Sequence, residues 1–212
     1  MEIQIKNLSK QFKDNEVLSE VNLTMKSGKI YGFIGRNGSG KSVFLKMLCG
    51  FYLPSSGEII IDGENFAAEN NFPKNTRALI EKPNFLPDLT GYENLELLAS
   101  IQNKIGKKEI MDTVEKVNLS KDINKKYGKY SLGTKQKLGI AQVLMENPDL
   151  IILDEPFNGV EKETAAKIRN LLKEEKEKGK LIIIASHIKE DINELADVVY
   201  EVDGGRVELL SK

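Results

Sequence analysis

The chain reads as an α/β fold: a mostly parallel sheet, preceded by an antiparallel β part and interrupted by a helical insert. Three features predict this. Residues 29–50, KIYGFIGRNGSGKSVFLKMLCG, pass from an apolar strand through a glycine-rich turn into a helix. Residues 150–153 and 181–185 are apolar without alternation, as strands are when both faces of a parallel sheet are covered. Between residues 83 and 147 strand-like alternation gives way to apolar side chains at helical spacing.

Taken in order, residues 1–6 and 17–25 alternate apolar and polar side chains, which predicts two half-buried antiparallel strands. The polar residues 10–16 between them are expected to turn. They carry one aromatic, Phe12, for which two roles stand: folding back onto the strands, or offering a face to a planar base. After the helix of residues 41–50, Pro54-Ser55-Ser56-Gly57 marks a turn, residues 58–61 a strand, 65–75 a loop and 76–81 another strand.

Thr90-Gly91-Tyr92-Glu93 then has the spacing of a capping box, opening the helical insert. Residues 95–101, 109–117 and 135–145 are its helices, and Pro148 closes it. The strand after it ends in Asp154-Glu155. A charged helix over 161–178 stops at Gly179, a buried strand runs from Lys180 to Ser186 and ends at His187, and a hairpin turning at Asp203-Gly204-Gly205 closes the fold. One domain is expected over 1–212, with 1–82 and 148–212 as the α/β core and 83–147 as the helical subdomain.

Composition narrows the function. Thirty-one basic residues against thirty-two acidic give a net charge of −1, which offers nucleic acid no general attraction. The N-terminal MEIQIKNLSK has no apolar signal core, and no apolar run approaches the roughly 18 residues of a membrane helix, so a cytosolic chain is expected. The single cysteine, Cys49, has no partner for a disulfide or a metal and is expected in the core.

Gly35-Arg36-Asn37-Gly38-Ser39-Gly40-Lys41-Ser42 fits G-x-x-x-x-G-K-[ST], a phosphate loop placed where a strand meets a helix. Its glycines let backbone N–H groups reach phosphate oxygens, and the following helix adds the positive end of its dipole. Lys41 is placed for the β- and γ-phosphates and the Ser42 hydroxyl for Mg²⁺, so a nucleoside triphosphate with magnesium is implied. Ligands of parallel sheets lie at the carboxyl ends of the strands, where Asp154, Glu155, Ser186 and His187 also fall. Asp154 suits Mg²⁺, Glu155 suits activation of a water, and a neutral His187 imidazole suits donation to a γ-phosphate.

The order GRNGSGKS, YSLGTKQKLGIAQVLMENPDLIILDEPFNG, IIIASHI resembles the ATP-binding cassette (ABC) family over essentially the whole chain. The resemblance implies a RecA-like P-loop NTPase core that binds ATP through Phe12, Gly35, Asn37, Gly38, Ser39, Gly40, Lys41, Ser42 and Val43. It implies catalysis by Lys41, Glu155 and His187, and Mg²⁺ held by Ser42, Asp154 and Glu81. Residues 131–136, SLGTKQ, look like a variant of the family signature. They imply a head-to-tail dimer in which Ser131, Gly133 and Gln136 face the ATP of a second copy or of a homologous ATPase subunit. A separate integral membrane permease is the further partner implied, holding the chain peripherally on the inner face of the membrane.

Residues 80–95, IEKPNFLPDLTGYENL, resemble the bacitracin and lantibiotic-type export and immunity subgroup, in which a glutamate stands at position 81. Phe85, Leu86 and Leu89 are either part of a permease-docking surface or core packing. Val43, Glu81 and Glu161 depart from the usual family residues. Two other readings stay open: a non-transport member acting on ribosomes or DNA, and a weakly hydrolysing regulatory subunit.

Overall fold

The computed structural model describes residues 1–65 and 73–211. Strands β1 (Glu2–Phe12) and β2 (Asn15–Lys26) pair antiparallel, and β3 (Lys29–Ile34) leads into helix α1 (Lys41–Leu48). Strands β4 (Ser56–Ile61), β5 (Glu64–Asn65) and β6 (Thr76–Leu79) follow, then helices α2 (Gly91–Gln102), α3 (Lys107–Lys116) and α4 (Leu132–Leu144). Strand β7 (Leu150–Asp154), helix α5 (Lys162–Glu177), strand β8 (Leu181–Ser186), helix α6 (Lys189–Asn193) and the hairpin β9 (Val198–Asp203) and β10 (Arg206–Ser211) complete the chain.

Two sheets result. One is four-stranded and antiparallel, in the order β2-β1-β4-β5. The other has six strands, β10-β9-β3-β8-β7-β6, and is parallel except for β10. The expected α/β architecture is thus the observed one. The parallel strands carry two cores because successive side chains leave opposite faces. Ile151, Leu153, Ile182 and Ile184 point to the face covered by the helices after β6. Leu150, Ile152, Leu181 and Ile183 point to the face covered by α1 and the antiparallel sheet. That is why neither strand alternates.

Gly32 of β3 is required for packing: a Cβ there would lie 2.2 Å from the Ile192 side chain, so helix α6 rests directly on the strand. The Thr90 capping box forms, with the hydroxyl accepting from Glu93 N–H at 3.1 Å and the Glu93 carboxylate accepting from Thr90 N–H at 2.7 Å. Two central residues of positive φ, Gly204 at +53° and Gly205 at +81°, turn the last hairpin.

The strand expected over 76–81 ends at Leu79, and the first turn is shorter than expected. The polar residues 10–16 are mostly strand, with Lys10 opposite Leu18 and Phe12 opposite Asn15, and the turn shrinks to Lys13 and Asp14. β1 is paired by β2 to its end and by β4 as far as Ser9, and Gln11 N–H donates to the Ser55 hydroxyl at 3.0 Å, so its backbone groups find partners whatever the polarity of its side chains. The loop expected at 65–75 falls mainly on residues 66–72, outside the described residues. Cys49 is buried, as expected. Among the described residues no helix is long and apolar enough to cross a membrane.

Candidate active site

The phosphate loop leaves β3 at Ile34 and enters α1 at Lys41. Gly38 and Gly40 have φ of +81° and +106°, the left-handed region that glycine enters without steric cost. Gly35 is needed for space, since a Cβ would stand 2.3 Å from the Val202 carbonyl oxygen of β9. The buried Lys41 ammonium donates to the carbonyl oxygens of Gly35 at 2.7 Å and Arg36 at 3.0 Å, curling over the loop. Burial lowers its pKa, against the opposing pull of Glu155 and Asp154. A cation that is short of solvent and aimed at an anion cradle gains most when phosphate arrives.

Asp154 ends β7 beside this loop. Its Oδ2 accepts from the Ser42 hydroxyl at 2.5 Å, while its Oδ1 is buried with no hydrogen-bond partner. Burial raises the Asp154 pKa, partly offset by the Ser42 hydrogen bond. Glu155 has φ of +48°, unusual for a residue with a Cβ. Its N–H donates to the Ala185 carbonyl at 2.8 Å, which turns the carboxylate towards the end of β8. There Oε1 accepts from His187 N–H at 2.9 Å and lies 2.7 Å from His187 Nδ1, and Oε2 accepts from the Ser186 hydroxyl at 3.0 Å.

Val17, residues 37–43, Asp154 and Glu155 line one open cleft of about 210 Å³. The expected Asn37, Gly38, Ser39, Gly40, Lys41, Ser42 and Val43 are therefore brought together with both carboxylates, and His187 with Glu155. Phe12 lies elsewhere, edge-on to Tyr52 with ring centroids 5.3 Å apart and Lys10 Nζ 4.8 Å over its ring, yet 39% exposed. The Glu81 carboxylate is ion-paired with Lys46, one turn along α1 from Ser42.

Ser131 caps α4, its hydroxyl accepting from Thr134 N–H at 3.2 Å, and Gly133 presses on the Gly159 carbonyl, which a Cβ would approach to 2.2 Å. Both line a small hollow with Val160 and Glu161, separate from the phosphate-loop cleft. Gln136 is directed otherwise than expected. It is buried inside its own chain, and its amide donates to the Glu155 carbonyl at 3.1 Å, because five residues beyond Ser131, about 140° round the helix, the side chain faces the sheet and not the surface.

Sequence reasoning passed over one lining group, Val17, which reaches the cleft from β2. Ser186, expected with His187 at a strand end, binds Glu155.

Residues 18–158 match the ABC transporter family. This chain belongs to that family. It resembles an uncharacterized ABC transporter ATP-binding protein, YybJ of Bacillus subtilis, with 39% identity over 99% of this chain and 96% of that protein. It is also 39% identical to the bacitracin transport ATP-binding protein BcrA of Enterococcus faecalis, over 93% of this chain but 65% of that protein's length. The dimeric bacterial ABC transporter cassette MJ0796 superposes with a TM-score of 0.87 at 28% identity, covering 97% of this chain and 96% of that one. The same cassette is known in a dimeric post-hydrolysis state bound to ADP and Pi. The ABC chain described here is accordingly an ATP-binding and ATP-hydrolysing transporter subunit.

Proposed function

We propose that this subunit powers export of an antimicrobial peptide or drug through a separate membrane permease. On this reading two ATPase subunits close head to tail on two ATP molecules. The observation that carries it is the convergence of Lys41, Ser42, Asp154, Glu155 and His187 at the carboxyl ends of β3, β7 and β8. The likeness to a bacitracin transport protein and residues 80–95 support the substrate class.

Mg²⁺ fits the residues present. Asp154 Oδ1 is a buried carboxylate oxygen without a partner, and Oδ2 already holds the Ser42 hydroxyl. Among the described residues no cluster of three or more acidic, His or Cys side chains offers a full protein cage, which suits a cation that takes most of its ligands from phosphate and water. Ser42 and Asp154 would hold it, and Glu81 would join only on leaving Lys46. When bound, the ion supplies positive charge to the phosphate oxygens.

Lys41 neutralises charge growing on the transferred phosphoryl group. Glu155 takes a proton from the attacking water. Oε1 is occupied by two groups of His187, so the spare lone pair on Oε2, beside Ser186, is the acceptor. His187 holds the carboxylate through Nδ1, and its other ring nitrogen donates to the γ-phosphate only when both nitrogens carry a proton, because the tautomer that gives its single proton to Glu155 has none to offer there. Phe12, which is partly exposed, stacks the adenine, and Ser131 and Gly133 reach the γ-phosphate held by the opposite subunit.

The helical segment 83–147 faces the permease. Phe85 packs edge-on against Tyr127, and Leu89 is half-buried. Leu86 and Leu97, by contrast, are 51% and 49% exposed along a groove of about 530 Å³.

Tagged Glu155→Gln protein, mixed with ATP and detergent-solubilised membranes of the native cell, tests the assignment. A multi-spanning protein should co-purify, and adding Leu86→Glu should release it while ATP binding stays. Recovery of ribosomes, DNA or no membrane protein would remove the transport reading.

A further inference from the structure

Gln136 has no role in the function proposed above, and its surroundings give it one. The residue that carries the general-base carboxylate, Glu155, is held in a left-handed conformation (φ +48°) that a side chain with a Cβ does not favour. Such a conformation persists only where the surroundings over-determine it. Three contacts fix its peptide groups: its N–H on the Ala185 carbonyl at 2.8 Å, and its carbonyl under the Gln136 amide at 3.1 Å and, less closely, the Asn158 N–H of the following turn at 3.3 Å. The first belongs to the sheet. The second comes from α4, the helix whose N-terminus is Ser131.

The first turn of α4 is also locked onto the loop after Glu155. A Cβ at Gly133 would stand 2.2 Å from the Gly159 carbonyl, and one at Gly159 would meet Leu132 at 2.9 Å. Gln136 is buried. No slack therefore separates the N-terminus of α4 from the backbone of Glu155.

We infer that Gln136 is a positioning residue for Glu155 of its own chain, through which engagement of Ser131 and Gly133 by one ATP adjusts the general base serving the other. The inference rests on the head-to-tail reading, in which each site takes its glutamate from one chain and its Ser131 from the other. A residue acting within its chain and one acting across the dimer then make opposite predictions.

The test uses dimers purified with two different tags, one on each chain, and reads ATP turnover. In a dimer of Gln136→Met with Glu155→Gln, the surviving glutamate lies in the chain lacking the amide, so kcat should fall about tenfold or more with KM within about threefold. In a dimer of wild type with the double variant Gln136→Met/Glu155→Gln, the surviving glutamate keeps its amide. That dimer should match wild type paired with Glu155→Gln alone.

The reverse pattern, or equal turnover in both dimers, overturns the inference. If Gln136→Met does not fold, Gln136→Asn, which keeps an amide too short to reach, carries the same expectation. If ATP forms no mixed dimer of wild type with Glu155→Gln, the sandwich reading fails instead, and kcat of Gln136→Met alone still tests the positioning. A value within twofold of wild type refutes it.

Discussion

Replacing Asn94 by leucine should loosen the segment between β6 and α2 while sparing the nucleotide site. Asn94 is 3% exposed on α2, and its amide clamps the preceding loop from within. Oδ1 accepts from Leu86 N–H at 2.9 Å, and Nδ2 donates to the carbonyls of Leu86 at 3.1 Å and Thr90 at 2.9 Å. Leucine keeps the branched shape with more bulk but can make none of these bonds, leaving the Leu86 N–H to find water and the Leu86 carbonyl with only the Leu89 N–H at 3.3 Å.

An orphaned buried polar group costs about 1–3 kcal/mol, and the loop is near enough to solvent to recover part of that loss. A net cost of about 1–2 kcal/mol lowers the melting temperature of a chain this size by about 2–8 °C. Thermal unfolding and amide exchange at Leu86 measure it, with ATP binding as the control. A melting temperature within about 1 °C of wild type, together with unchanged protection of the Leu86 amide, would show that the clamp carries no load.

Asp154→Asn should stabilise the nucleotide-free chain. Burial raises the folded-state pKa of this carboxyl, so between its ordinary value and the raised one the folded chain holds more protons than the unfolded. Its contribution to stability therefore falls as pH rises through that window and remains a constant penalty at neutral pH. Removing the charge should raise the melting temperature by about 2–4 °C for each kcal/mol relieved, and abolish the extra stabilisation by ATP with magnesium; differential scanning fluorimetry reads both. Cys49, whose thiol burial pushes up to about 12, should resist alkylation at pH 8 in the folded chain and react once denaturant unfolds it. Labelling of the native protein at the unfolded rate would contradict its burial.

Much of the site was legible in the chain because its chemistry is local. A phosphate loop needs glycines, a lysine and a hydroxyl within eight residues, and strand ends can be located wherever an apolar run meets a carboxylate or a histidine. What escaped was set by contacts distant in sequence. Residues 10–12 look like a turn by polarity, yet they extend a strand that β4, more than forty residues on, holds in the sheet as far as Ser9, and they pair with β2 beyond it. Gln136 belongs to a signature-like segment expected to face another subunit. Its direction depends on where α4 comes to rest on the loop after β7, and that is decided by the close approach of Gly133 to Gly159. The Glu81–Lys46 pair joins a loop to a helix thirty-five residues earlier, and neither residue signals the other.

The sequence by itself determined the class of fold, the family and the inventory of the site, since periodicity, turn residues and phosphate-binding chemistry are properties of neighbours along the chain. The tertiary structure alone decided which oxygen of Glu155 stays available, what occupies Glu81 and which way Gln136 points. Those outcomes rest on hydrogen bonds a few ångströms long between elements up to 35 residues apart. Only the packing of the two cores against the parallel sheet brings their partners within reach.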